Sequence, residues 1–132
     1  MKNFSLSRNE RVRRKKDFEK IYSSGKVLFS SDQLIKCLYL FEQKSKDVGV
    51  KIAAAVSSKA GKAVWRNRVK RLIKESYRLN KKLILPKAIE KNIEAKIIFS
   101  PNKLNEEKYS KVKLTDISPG ITELIKKISQ KI

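Results

Sequence analysis

The sequence has no histidine and a single cysteine, Cys37. Without histidine it lacks the commonest general acid and base, and no spacing of metal ligands of the zinc-site kind is present. One cysteine cannot close an internal disulfide, and its place in an apolar run predicts a buried thiol rather than a reactive one. Acids are scarce, 13 against 33 Lys and Arg. The nearest approach to an acidic cluster is Glu106 and Glu107, which are adjacent and would point in different directions. A self-sufficient enzyme therefore has little to be built from: we expect no catalytic side chain, no metal site and no nuclease activity in the isolated chain. Apolar runs are also short. None approaches the roughly 20 residues of a spanning helix, and the start of the chain lacks the apolar centre of a secretory signal, so the expected location is the cytoplasm, away from membranes.

What is abundant is positive charge. A formal net charge of +20 on 132 residues is tolerable chiefly when a polyanion offsets the self-repulsion, which points to nucleic acid. The length suits one domain with one core, taken as residues 1–132, with 1–10 as a flexible basic tail. Phe18, Ile21 and Tyr22 meet on one side of a helix over Lys15–Ser24, ended by Gly25. Lys26–Phe29 reads as a short strand. Gln33–Phe41 alternates, with Ile35, Cys37, Tyr39 and Phe41 toward the core. The polar stretch Gln43–Asp47 suits a surface connection between antiparallel strands. In the strand over Val48–Ser57, Val48, Val50, Ile52, Ala54 and Val56 form one apolar face. The other carries Lys51, Ala53, Ala55 and Ser57, a low surface that either holds an extended ligand or is packed closely by a helix. A long helix over Ala63–Leu83 stops before Pro86; a strand over Glu94–Phe99 and an amphipathic helix from near Ser118 and Pro119 complete an α+β fold.

On a helical wheel the long helix puts Trp65, Val69, Leu72, Ile73, Ser76 and Leu79 in one stripe, to pack on the sheet. The opposite side collects Asn67, Lys70, Arg71, Lys74 and Arg78, with Arg66 and Arg68 at its borders and Glu75 as the helix's only acid. Like charges three and four residues apart weaken a helix, and a merely solvated face would mix signs. Arg holds phosphate through paired N–H donors, and an Asn among them can reach a base edge or a 2′-hydroxyl.

The run Ala63-Val64-Trp65-Arg66-Asn67-Arg68-Val69-Lys70-Arg71-Leu72-Ile73-Lys74-Glu75 resembles the Arg-Asn-Arg signature helix of the bacterial ribonuclease P protein family. Val56–Lys62 looks like that family's strand end and turn, and Asp17–Tyr22 followed by Gly25 looks like its first helix. The resemblance is good over Arg11–Tyr77, loose over Ala95–Phe99 and weak beyond Asn102. It implies a four-stranded sheet in the order αβββαβα with a left-handed crossover through the signature helix, where general rules favour the right-handed form. It also implies an RNA-binding subunit of ribonuclease P, which assists a catalytic RNA and its Mg²⁺ ions in removing the 5′ leader of precursor tRNA, with no obligate protein partner.

Carried over by position, the resemblance makes Arg66, Asn67, Arg68, Lys70, Arg71 and Lys74 the contacts to the catalytic RNA. Phe18 and Tyr22 become leader-binding residues, although a core role for both aromatics competes. Lys36, Lys51 and Ser57 share the open face and could reach phosphates or sugars. Lys36 stands where relatives can place an aromatic, and Ser58 replaces a basic residue common in the family. The competing reading is a ribosomal or general RNA-binding protein, which charge and size fit equally well.

Overall fold

In the computed structural model, which describes residues 10–43 and 48–132, four strands form one sheet. They are β1 (Lys26–Phe29), β2 (Ile35–Gln43), β3 (Gly49–Ala54) and β4 (Ile93–Pro101), joined by helices α1 (Lys15–Ser24), α2 (Ala63–Asn80), α3 (Leu85–Glu90) and α4 (Leu114–Lys131). The spatial order is β1-β2-β4-β3. β4 runs antiparallel to β2 and parallel to β3, so the last strand in sequence lies inside the sheet, buried throughout from Ile93 to Phe99. β2 and β3 are therefore not paired directly, although they run in opposite directions as expected; residues 44–47 between them, and residues 1–9 of the predicted tail, lie outside the described residues.

One face of the sheet presents Ile35, Cys37, Tyr39, Val50, Ile52, Ala95, Ile97 and Phe99 to α2 and α4, which together make the main core. Burial pushes the Cys37 thiol up to about 12, so it stays protonated. The opposite face carries a smaller cluster of Val12, Ile21, Ala53 and Ile98, flanked by Phe18, Leu38, Leu40 and Ala55, under α1. The alternation read from β2 and β3 thus holds. Gly25 does end α1, its N–H donating to the Ile21 carbonyl at 2.7 Å, but not through a left-handed backbone: its φ is −73°. Glycine is needed because a Cβ there would lie 2.4 Å from the Ile21 oxygen.

Three expectations need correction. Leu79 is exposed and Tyr77 is buried in its place. The buried series Trp65, Val69, Ile73, Tyr77 advances by four residues, which drifts about 40° per step around the helix and leaves Leu79 behind. The long helix does stop before Pro86 but ends earlier than expected, at Asn80, with a single 3₁₀ turn over Lys81–Leu83 after it; Pro86 sits in the first turn of α3, a position where its missing N–H costs nothing. α4 starts at Leu114, well before Pro119. The Asp116 carboxylate accepts the Lys113 N–H at 2.8 Å and caps the helix, leaving Pro119 inside it, unable to donate to the Thr115 carbonyl.

α4 is tied to the turn before β2 by Glu123, which accepts the Ser31 N–H at 2.9 Å and the Ser31 hydroxyl at 2.6 Å. The Lys127 ammonium, then these Ser31 donors, hold the Glu123 carboxyl down at about 2. Because the folded value lies below the ordinary one, the stabilisation is complete above about pH 4.5 and fades as pH falls through about 2. Glu123→Gln should lower the denaturation midpoint at pH 7, and the difference from the unchanged chain should vanish near pH 2; a difference that persists there would show that the carboxylate charge is not what stabilises.

Candidate nucleic-acid interface

α2 is held by its apolar side and by three bonds from the segment after β4, a stretch without clear periodicity. Glu106 accepts the Lys62 N–H at 2.8 Å, the Trp65 indole donates to the Tyr109 carbonyl at 2.9 Å, and Arg68 Nε donates to the Val112 carbonyl at 2.7 Å. Each pair is 44 residues apart in sequence, so the segment runs alongside the first turns of α2. Gly61 lets it approach: a Cβ there would meet the Trp65 ring at 2.7 Å and Glu106 Cβ at 2.9 Å.

Anchored in this way, α2 keeps Asn67, Arg68 and Arg71 exposed and Arg66, Lys70 and Lys74 half-buried. Arg66 Nε is buried without a hydrogen-bond partner among the described residues. Burial, then the charges of Arg11 and Lys70, pushes the Lys74 ammonium below the usual lysine value. A cation made less favourable by other cations marks a concentration of positive potential suited to an anion. Arg11, just before α1, belongs to this surface, although no periodic pattern in the sequence places it there. Toward the end of the helix, Arg78 pairs with Glu75 at 3.2 Å, so the uncompensated part is the first half. Arg68 has a double part: one nitrogen braces the chain, and its terminal nitrogens remain as donors.

A second feature lies on the sheet face that carries α1. A groove of about 540 Å³ is lined by Tyr22, Val27, Phe29, Lys36, Leu38, Ala55, Ser57, Ser100 and Pro101, and also touches Cys37 and Val56. It gathers three of the five residues expected to bind the leader: Tyr22, Lys36 and Ser57. Phe18 and Lys51 do not line it. Phe18 packs half-buried into the cluster beneath α1, and Lys51 pairs with Glu94 at 3.1 Å. The choice left open from sequence thus has both answers on one face: α1 covers part of it, and the rest is open.

α1 is tied to this face by Lys96, a lysine on β4 that is only 6% exposed. Its ammonium donates to Asp17 of α1 at 3.0 Å and to Glu42 of β2 at 2.5 Å, with Glu94 at 3.7 Å. Burial alone would push Lys96 down, but these carboxylates outweigh it and its pKa is raised. Hydrogen bonds from Lys20 first and Lys96 second hold Glu42 below the usual carboxylate range. These carboxylates are matched by ammonium groups, so they are not a vacant set of ligands for a divalent cation. Among the described residues no group of three or more His, Cys, Asp or Glu could hold a metal, and none of their helices is long and apolar enough to cross a membrane.

The fold has counterparts among known proteins. A family model described as Ribonuclease P matches residues 6–118. The chain belongs to the ribonuclease P protein family. A ribonuclease P protein component of Clostridium botulinum is 33% identical over 120 residues, covering 91% of this chain and 95% of the relative. One from Clostridium novyi is 41% identical over 75 residues, covering 57% and 64%. The solved ribonuclease P protein of Thermotoga maritima superposes with a TM-score of 0.69 at 27% identity, covering 89% of this chain and 96% of that one. Members of the ribonuclease P protein family are the protein component of an endoribonuclease in tRNA processing, in which RNA is the catalyst and partner. That assignment favours the ribonuclease P reading over a general RNA-binding one.

The two aromatics of α1 should separate experimentally. Phe18→Ala removes a ring from the packed cluster and should cost about 2 kcal/mol of stability, below the range for a fully buried ring. Tyr22, 56% exposed, should tolerate Ala within about 0.5 kcal/mol. Urea denaturation of both variants checks the contrast, and equal losses would contradict it.

Proposed function

We propose that the first half of α2 grips the catalytic RNA of ribonuclease P while the groove on the other side of the sheet receives the single-stranded 5′ leader of precursor tRNA. The observation that carries the first part is the crowding of cations around Lys74, whose ammonium is pushed down by burial and by the charges of Arg11 and Lys70, beside the orphaned Nε of Arg66. Phosphates would satisfy both, and Asn67 and Arg71 extend the same surface. The second part is supported by an open, largely apolar groove with one cation, Lys36. Bases have an apolar π-face whatever their identity, so a groove of this composition suits leaders of differing sequence.

In this reading the protein performs no bond-breaking step. It raises the affinity of the ribonucleoprotein for substrates that carry a leader and neutralises phosphate repulsion within the RNA; Mg²⁺ is bound mainly by the RNA. Arg66, Asn67, Arg68, Lys70, Arg71 and Lys74 are the contacts to the catalytic RNA, and Tyr22, Lys36 and Ser57 the contacts to the leader. Phe18, packed under α1, and Lys51, paired with Glu94, are not assigned to the leader in this reading. The setting is the bacterial cytoplasm, where precursor tRNA is made.

Reconstitution tests the whole reading. Mixed with its cognate catalytic RNA at low Mg²⁺, the protein should increase cleavage of precursor tRNA and make it depend more steeply on leader length; the same RNA cutting equally well without the protein would refute it. Changing Lys70, Arg71 and Lys74 together to Ala should weaken binding of the catalytic RNA. It should also reduce the slope of log affinity against log salt by about 0.7 to 0.9 for each phosphate that is no longer neutralised. An unchanged slope would mean that this surface faces something other than RNA.

A further inference from the structure

The groove contains two residues that neither the basic helix nor the open-face pattern accounts for. β1 is an edge strand, and its groove-side positions are Val27 and Phe29, 48% and 42% exposed. Edge strands are usually protected by charge or by brevity, and exposed apolar groups gathered in a groove with a polar rim mark a binding surface. The register fixes which way they face. Val27 stands opposite Leu38 and Phe29 opposite Lys36, whereas Leu28 stands opposite the buried Cys37. Tyr22 reaches the same groove from α1, because Gly25 turns the chain straight from helix into β1.

We propose that Phe29 is a base-stacking residue of this groove, acting with Tyr22 and with Lys36 as the phosphate contact, so that single-stranded RNA is held by two rings and one ammonium. The proposal rests on the reading of the groove as the leader site and adds the residue that supplies its second stacking surface. Lys36 occupies the cross-strand position directly beside Phe29. A ring on β1 therefore makes up for the charge on β2: the stacking surface is displaced by one strand rather than lost. RNA is the occupant that fits, since the groove's charged group is cationic and the chain carries +20.

The test uses full-length protein assembled with its cognate catalytic RNA, with affinities measured for precursor tRNA and for mature tRNA. Phe29→Ala should lower precursor affinity roughly 5- to 150-fold, the range for one lost base stack, and leave mature tRNA binding and the unfolding midpoint unchanged. Phe29→Tyr should restore the loss. Since stacking carries no charge, Phe29→Ala should keep the salt slope of precursor binding, while Lys36→Ala should reduce it by about 0.7. Should Phe29→Ala fold poorly, Phe29→Leu keeps apolar cover over the strand without a ring, and the same loss is expected. Wild-type precursor affinity in the Phe29 variants, together with lost leader preference in Tyr22→Ala, would overturn the proposal and leave the groove as the leader site. Unchanged preference in both would overturn the groove reading itself and point to a protein contact. Equal losses for precursor and mature tRNA would make Phe29 a structural support and also overturn the proposal.

Discussion

A helix with six cations and one acid along 18 residues holds its shape only because its other side is buried. Each like-charge pair at helical spacing costs a few tenths of a kcal/mol, so the repulsion along α2 amounts to about 1 to 2 kcal/mol. Burial of Trp65, Val69, Ile73 and Tyr77 contributes about 1.5 to 3 kcal/mol each before the entropy of ordering. The apolar anchor wins, and the repulsion remains as potential directed at whatever meets the exposed side. Everything else in the fold either supplies that anchor or stays out of its way.

The sheet separates two tasks. One face is given to α2 and α4 and holds the cationic helix rigidly; the other is shared between α1 and an open groove. The buried ammonium of Lys96 ties α1 to that second face, since it binds carboxylates from α1, β2 and its own strand. Breaking such a network by removing one partner leaves charges buried without compensation, which is far more costly than the loss of a surface pair. Neither Lys96 nor its carboxylate partners line the groove, so the neutralised patch and the groove are separate parts of one face.

Much of this was legible in the residues. Period-two alternation assigned the faces of β2 and β3, and period 3.6 found α2 with its cationic side, because both signals come from burial that each element enforces locally. The Arg-Asn-Arg run carried the family. What escaped notice depends on relations between distant segments. Phe29 belongs to a four-residue strand in which Val27, Leu28 and Phe29 are all apolar, so only the pairing with Lys36 tells which face it takes. Lys51 reads as an open-face cation until Glu94 is brought against it, and nothing in the sequence marks Lys96 as the meeting point of Asp17, Glu42 and Glu94. The bonds of Glu106, Tyr109 and Val112 to α2 leave no periodic trace, since a backbone carbonyl accepts a hydrogen bond whatever its side chain.

Those bonds carry a consequence for how the molecule is made. The residues that brace the first turns of α2 follow it by 44 positions, and the strand that completes the middle of the sheet lies between them. On a ribosome adding about 5 to 20 residues per second, the cationic segment emerges several seconds before the pieces that seat it. During that interval it is a loosely held polycation beside ribosomal RNA, and its final orientation waits for the last quarter of the polypeptide.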